Sequence, residues 1–325
     1  MQSLRVVILH NQLSKEALAD EADVMEQVML VESCLKQLGH TSFVLPLSLN
    51  LEKGKEALLE LKPDLVFNLV ESFENKGELV YIAPALLDAL KIPYTGTATV
   101  PMFQSASKTL TKENLSKAGI VVAEGLELDQ LDQCKPEKTY ILKPRWEEGS
   151  LGLDEDAVFK GDNMAFVSRV KGLSHKDYFV EEFIEGREFN CAIVATREGP
   201  RIVAVAEITF IDFPEEKPKM LGYKAKWDEE SFEYKNTVRR LDFDEEDKDL
   251  IQLLGAIGLK CWTACGLGGY ARVDFRVDQH NQPYVLEVNS NPCISPDSGY
   301  YAAVEHAGMQ FTDIVKLIVE DALKH

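Results

Sequence analysis

Arg272, Asp274 and Arg276 alternate with Val273, Phe275 and Val277 in the stretch YARVDFRVDQHNQPYVLEVNSNPCISPDSG, residues 270–299. β-Branched and aromatic residues fill its flanks and polar ones its middle, so it reads as strands 271–277 and 283–289 joined by a turn at 278–282. Side chains alternate faces along a strand. Arg272, Asp274 and Arg276 therefore share one face, and Val285, Glu287 and Asn289 share a face of the second strand. In the register that the turn sets, Asp274 lies opposite Glu287 and Arg272 opposite Asn289. Opposed side chains have Cβ atoms only ~5 Å apart, so two carboxylates placed this way repel. Together with an amide oxygen they suit a hard cation such as Mg²⁺, which turns repulsion into coordination. The alternative is a solvated hairpin face with an ion pair across it. The polar run Asn289-Ser290-Asn291-Pro292, entering a loop rich in Pro and Ser, favours a site.

Cations for an anionic ligand come from further upstream. Lys143 ends the apolar strand 140–143 and runs into Arg145-Trp146-Glu147-Glu148-Gly149-Ser150-Leu151-Gly152. Glycine lets backbone N–H groups approach a phosphate, and lysine adds a point charge. Lys108 and Lys112 sit on a helix beginning near Ser107, where their ordinary reading is exposed, solvated charge.

These residues need elements to hold them. Strands are expected at 5–9, 41–47 and 64–70, alternating with helices at 20–38, 52–61 and 79–90, which is the pattern of a parallel α/β layer. Residues 97–107 read as a short polar connection. Strands follow at 178–184, 189–195 and 201–210. Residues 211–237, including GYKAKW, form a long charged segment with little periodicity, of a length usually functional or disordered. Helices at 244–264 and 311–323 complete the chain. No G-x-G-x-x-G follows the first strand, where His10-Asn11-Gln12 stands instead, so a dinucleotide-binding dehydrogenase is a poor reading.

The 325 residues allow two or three domains. A net charge of −19 disfavours nucleic acid and anionic membranes as partners. No apolar run approaches ~20 residues and the start reads as a strand, so a cytoplasmic protein is expected. The six cysteines show no zinc-ligand pairing and read as core thiols, except Cys293 in the loop after the carboxylates.

Taken together, YILKPRWEEGSLGL, FVEEFIEGREF, GYKAKW and ARVDF…YVLEVNSNP…SPDSG resemble the ATP-grasp superfamily, within it the D-alanine–D-alanine ligase family. The resemblance spans nearly the whole chain. It implies an α/β (α+β) ATP-grasp fold: an N-terminal parallel α/β domain (1–102), a central lobe (103–184) and a C-terminal lobe (185–325), the two lobes enclosing ATP. It implies an ADP-forming carboxylate–amine ligase working through an acyl phosphate. Asp274, Glu287 and Asn289 then correspond to Mg²⁺ ligands, with two ions expected and Mn²⁺ as an alternative. Arg272 corresponds to the oxyanion-stabilising arginine, and Lys108 and Lys143 to the ATP-phosphate lysines. Glu181 and Glu188 correspond to carboxylates on the adenine amino group and ribose, while Phe183, Ile184 and Leu286 fall where the nucleotide is lined. Gly149 and Ser150 belong to the glycine-rich loop, Lys226 to the closing loop, and Ser298 to the site of the acceptor's carboxylate. The same resemblance implies a homodimer.

The departures fall on the amino-acid side. The family's Gly-Gly-x-Ser-x-Glu start is matched only by Ser14 and Glu16. Val70-Glu71-Ser72 stands where a histidine is expected, Trp227 where a tyrosine is, Cys293 where a glycine is, and Gly149 where a serine is. Glu71, Glu74 and Glu78 are candidates for an ammonium group, against a reading as surface acids. Three hypotheses follow: a ligase of D-alanine type acting on amino acids or short peptides; a ligase of the same fold for L-amino acids, dipeptides or another amino-acid-like substrate; and a catalytically silent ATP-binding regulator.

Overall fold

In the computed structural model, residues 3–13, 23–146, 153 and 155–324 are described. Three sheets carry the described residues. The first, in order β2-β1-β3, comprises Arg5–Asn11 (β1), Thr41–Leu47 (β2) and Leu65–Leu69 (β3), all parallel. Its central strands are nearly continuous apolar runs because both faces are covered. Val6 and Ile8 face the helices Val24–Gln37 and Phe311–Ala322, whereas Val7 and Leu9 face Leu58 and Leu87 on the other side.

The second sheet, β4-β7-β5-β6, is antiparallel and contains Gly125–Leu126 (β4), Thr139–Pro144 (β5), Val158–Lys160 (β6) and Tyr178–Glu182 (β7). The third, β10-β9-β8-β11-β12, is also antiparallel. It contains Arg187–Thr196 (β8), Gly199–Phe210 (β9), Thr237–Arg240 (β10), Tyr270–Val277 (β11) and Pro283–Asn289 (β12). Between β7 and β8 the chain crosses from one sheet to the other. Gly186 permits the crossing: its φ is +144°, and a Cβ there would come 2.0 Å from the Val277 carbonyl oxygen. Only glycine fits such a position.

One face of the third sheet buries Phe189, Cys191, Val273, Phe275 and Val277 against the helix Lys248–Cys265. The other face changes character along its length. Ala192, Val194 and Tyr270 pack into the core shared with the first sheet, whereas Glu188, Asn190, Arg272, Asp274 and Arg276 are polar. That polar end is where the site lies.

Several expectations from sequence need correction. The first helix begins at Val24 within the described residues, and residues 20–22 lie outside them. Residues 97–107 are not simply a connection, because Thr99–Ala106 is helical and buries Met102 and Ala106. Residues 211–237 contain two short helices, Tyr223–Trp227 and Phe232–Asn236. A further helix, Gly299–His306, follows the loop after β12. No helix among the described residues is long and apolar enough to cross a membrane.

Candidate active site

Register builds the site. Asp274 pairs with Asn190 on β8 and with Glu287 on β12, and Arg272 pairs with Ala192 and Asn289. Three adjacent strands thus present Asn190, Asp274 and Glu287 in one row. Alternation alone puts Val285 beside Glu287, but a register shift after Asp274 pairs Phe275 with Val285. Val285 consequently joins Val288 in the core, and Leu286 accompanies Glu287 at a cleft. The bulge lets two consecutive residues serve the same side.

The cleft lies between the second and third sheets and encloses about 70 Å³. Its walls are apolar at Ile141, Leu153, Phe183, Ile184, Met220, Leu221 and Leu286, and cationic at Lys108, Lys143 and Lys226. Glu181, Glu182, Glu188, Asp274 and Glu287 supply the acids, and Arg276 adds a fourth cation. Residues 147–152, with Gly149 and Ser150, lie outside the described residues, as do Ser14 and Glu16.

Lys108 and Lys112 are buried rather than exposed. Lys112 Nζ lies 2.9 Å from Glu181 Oε2, an ion pair whose angles miss a hydrogen bond, and Lys143 Nζ lies 2.6 Å from Glu181 Oε1. Burial pushes the Glu181 carboxyl up, but the two ammonium groups outweigh it and hold it below its ordinary value. Glu181 is therefore a buried anion clamped by two cations. Lys108, at the start of its helix, has Nζ 3.8 Å from Glu287 Oε2. Burial also works to raise Glu287, yet Lys108, Lys226 and Arg272 bring it down to about 2.

Arg272 Nε and Nη2 donate to the two oxygens of Asp274 at 2.8 Å each, and Asn190 Nδ2 donates to Oδ1 at 2.8 Å. Asn289 Nδ2 is 3.3 Å from Oδ2. Sequence reasoning missed Asn190, because only the register reveals its partner. It also gave no role to Arg276. That guanidinium donates to the Ile184 and Lys219 carbonyls at 2.9 and 2.7 Å and stacks 5.0 Å from the Phe183 ring centre, fastening the crossing chain to the floor of the cleft. Glu188 receives Arg276 Nη1 at 3.3 Å and the Leu221 amide at 3.4 Å.

Beside this cleft is a larger cavity of about 500 Å³, a usual size for a small-molecule site. Lys226 lines both. Asp23 and Glu71 reach the cavity from the N-terminal layer, and Arg239 and Arg272 from the third sheet. Gln27 Nε2 donates to Glu71 Oε1 at 2.8 Å, and the Cys293 thiol donates to Asp23 at 2.8 Å. Burial pushes that thiol well up, so it is an inert donor. Ser298 lines the cavity as the N-cap of Gly299–His306, its hydroxyl accepting the Tyr301 amide at 3.1 Å. Glu74 and Glu78 do not line it, whereas Glu71 does.

The chemistry of the donors identifies what fits. Among the described residues no three His, Cys, Asp or Glu side chains converge on a metal position. Asp274, Glu287 and Asn289 offer two carboxylates and one amide, too few for an all-protein cage. Mg²⁺ commonly binds through one or two carboxylates plus ligand phosphates. Three lysines beside an apolar slot match phosphates attached to an aromatic base.

A family model described as the D-ala D-ala ligase C-terminus matches residues 140–320. The D-alanine–D-alanine ligase of a Caulobacter species is 30% identical over 82% of this chain and 80% of its own length. That of Rhizobium meliloti is 29% identical over 82% of each chain. The D-alanine–D-alanine ligase of Bacillus anthracis, solved in complex with ATP, superposes with a TM-score of 0.73 at 19% identity, covering 99% of this chain and 98% of its own.

Proposed function

This chain belongs to the D-alanine–D-alanine ligase family of ATP-dependent C–N ligases, and we propose that it joins two amino-acid-type substrates in the 500 Å³ cavity at the expense of ATP held in the adjoining cleft. The family is ATP-dependent and generally requires Mg²⁺. The observation that carries the reading is the position of Lys226, which lines both spaces beside the Asp274–Glu287 pair.

Bound ATP supplies the phosphoryl group that activates a carboxylate, and Mg²⁺ supplies charge that balances the phosphates. The chain's own residues position and neutralise, as phosphoryl transfer demands. Ile141, Phe183, Ile184 and Leu286 line the adenine slot, and Glu188 meets the ribose. Lys108 and Lys143 face phosphate oxygens. Asp274, Glu287 and Asn289 are the residues that would hold one or two ions. Arg272, fixed by its bidentate pair with Asp274, stabilises the oxygen that becomes negative when the amine attacks. Lys226, which lines both spaces, would serve the phosphate and the substrate, and Ser298 would donate to the acceptor's carboxylate.

The charge distribution of the cavity supports an amino-acid substrate. Asp23 and Glu71 on one layer suit an ammonium group, and cations on the other suit carboxylates. Whether the substrate is D-alanine is decided by these rebuilt residues. The three sheets fall within residues 1–102, 103–184 and 185–325, which supports that division into domains. A homodimer is the assembly we propose, to be checked by light scattering. The test of the function is ADP release from Mg-ATP that starts only when an amino acid is added. ADP release indifferent to amino acids contradicts it.

A further inference from the structure

Arg239 is a cation that the foregoing roles leave unused. It lies on β10, paired with Ile208 of β9, and lines the 500 Å³ cavity. Among the described residues its guanidinium has no hydrogen bond and no carboxylate at ion-pair distance, although the charge of Asp297, which lines the same cavity, acts on it. By contrast its neighbour Arg240 is paired with Glu207 and Asp247.

Two further features sit beside it. Thr237, two residues back and so on the same strand face, has a buried hydroxyl oxygen without a partner, and it too lines the cavity. A buried polar atom left unpaired calls for a ligand or water. Gly299 lies against the guanidinium, since a Cβ there would be 3.5 Å from both Arg239 Nε and Nη2. Gly299 opens the helix Gly299–His306, whose first N–H groups have no partner within the helix. Ser298 accepts from Tyr301, which leaves its own O–H free to donate. A fork-shaped cation, an unpaired hydroxyl and a helix start thus converge on one place.

We propose that Arg239 is the principal receiver of the acceptor's free carboxylate, with Thr237 and Ser298 completing the site. This deepens the ligase reading and rests on it. Arg239 presents two parallel N–H donors, which match a carboxylate bidentately. Lys226 is then left for the phosphate side. The acceptor must end in a carboxylate, and an amide in its place leaves the guanidinium facing a neutral group. A charge-assisted hydrogen bond is worth ~1.5–3 kcal/mol, about 10- to 150-fold in binding.

The test uses the full chain with Mg-ATP and a saturating donor amino acid. D-Alanine, L-alanine and the amide of each are compared as acceptors, by ADP release and by mass of product. The expected result is a carboxylate-over-amide preference that falls roughly 10- to 100-fold in Arg239→Ala. The loss appears in KM for the acceptor and not in KM for ATP, Arg239→Lys recovers part of it, and Thr237→Val loses less. An unchanged preference in a folded Arg239→Ala, or equal effects on the acid and amide acceptors, overturns the proposal. If no amino acid elicits ADP release from the wild type, the ligase reading itself falls and this proposal falls with it.

Discussion

Arg272 and Asp274, two residues apart on β11, close a bidentate ion pair at 2.8 Å through both oxygens. Glu287, opposite Asp274, has Lys108 only at 3.8 Å. The two carboxylates are therefore held by different partners although both face the cleft.

Neutralising each tests its place at the metal. Glu287→Gln is expected to lower kcat roughly 10²- to 10³-fold and, because Lys108, Lys226 and Arg272 hold its carboxyl at about 2, to lower the melting temperature at neutral pH as well. Asp274→Asn loses turnover as well, and it leaves the Arg272 guanidinium without the carboxylate it pairs with through both oxygens. Kinetics and thermal melts on both variants check this. Retained turnover in Glu287→Gln contradicts its place at the metal.

Glu181 predicts a pH dependence. Lys112 and Lys143 hold its folded carboxyl below the ordinary 4.5, against the upward push of burial. The unfolded chain then binds more protons on the acid side. Its contribution to stability is full above pH ~4.5 and disappears as the pH falls through the folded value. Glu181→Gln should lower the melting temperature at pH 7 and flatten the acid limb below about pH 4.5. An identical acid limb in the variant refutes the clamp.

Lys226 predicts the alkaline limb. Burial lowers its ammonium from the ordinary value, Arg272 acts in the same direction, and the carboxylates of Glu287, Asp274 and Glu188 oppose them. If its positive charge is required, kcat falls with rising pH earlier than an ordinary lysine predicts. Lys226→Arg holds its charge to far higher pH and should move that limb upward, whatever rate it retains. A limb that does not move assigns the titration elsewhere.

Much of the site was legible because its residues lie close together in sequence. Alternation and a five-residue turn were enough to oppose Asp274 and Glu287, and β12 runs over Pro283–Asn289 as read. Val285 was misplaced because a bulge leaves no mark on a run of apolar residues. Lys108 and Lys112 were read as exposed because a helix face rich in lysine looks solvated until Glu181 and Glu287 are brought to it from β7 and β12. The helix Thr99–Ala106 stands where a polar connection is expected, and it contains Pro101, a residue that breaks a helix interior. In a first turn, however, the missing N–H costs nothing. Asn190 and Arg239 could not be found from sequence, since each acquires meaning only from a neighbouring strand or helix.

The measurement closest to the central claim is the mass spectrum of the products formed from Mg-ATP and pairs of D- and L-amino acids, read alongside ADP. The account predicts one ADP for each new amide bond, with no ADP when amino acids are omitted. ATP binding seen as a raised melting temperature, with neither ADP nor a condensed product from any pair, would contradict it.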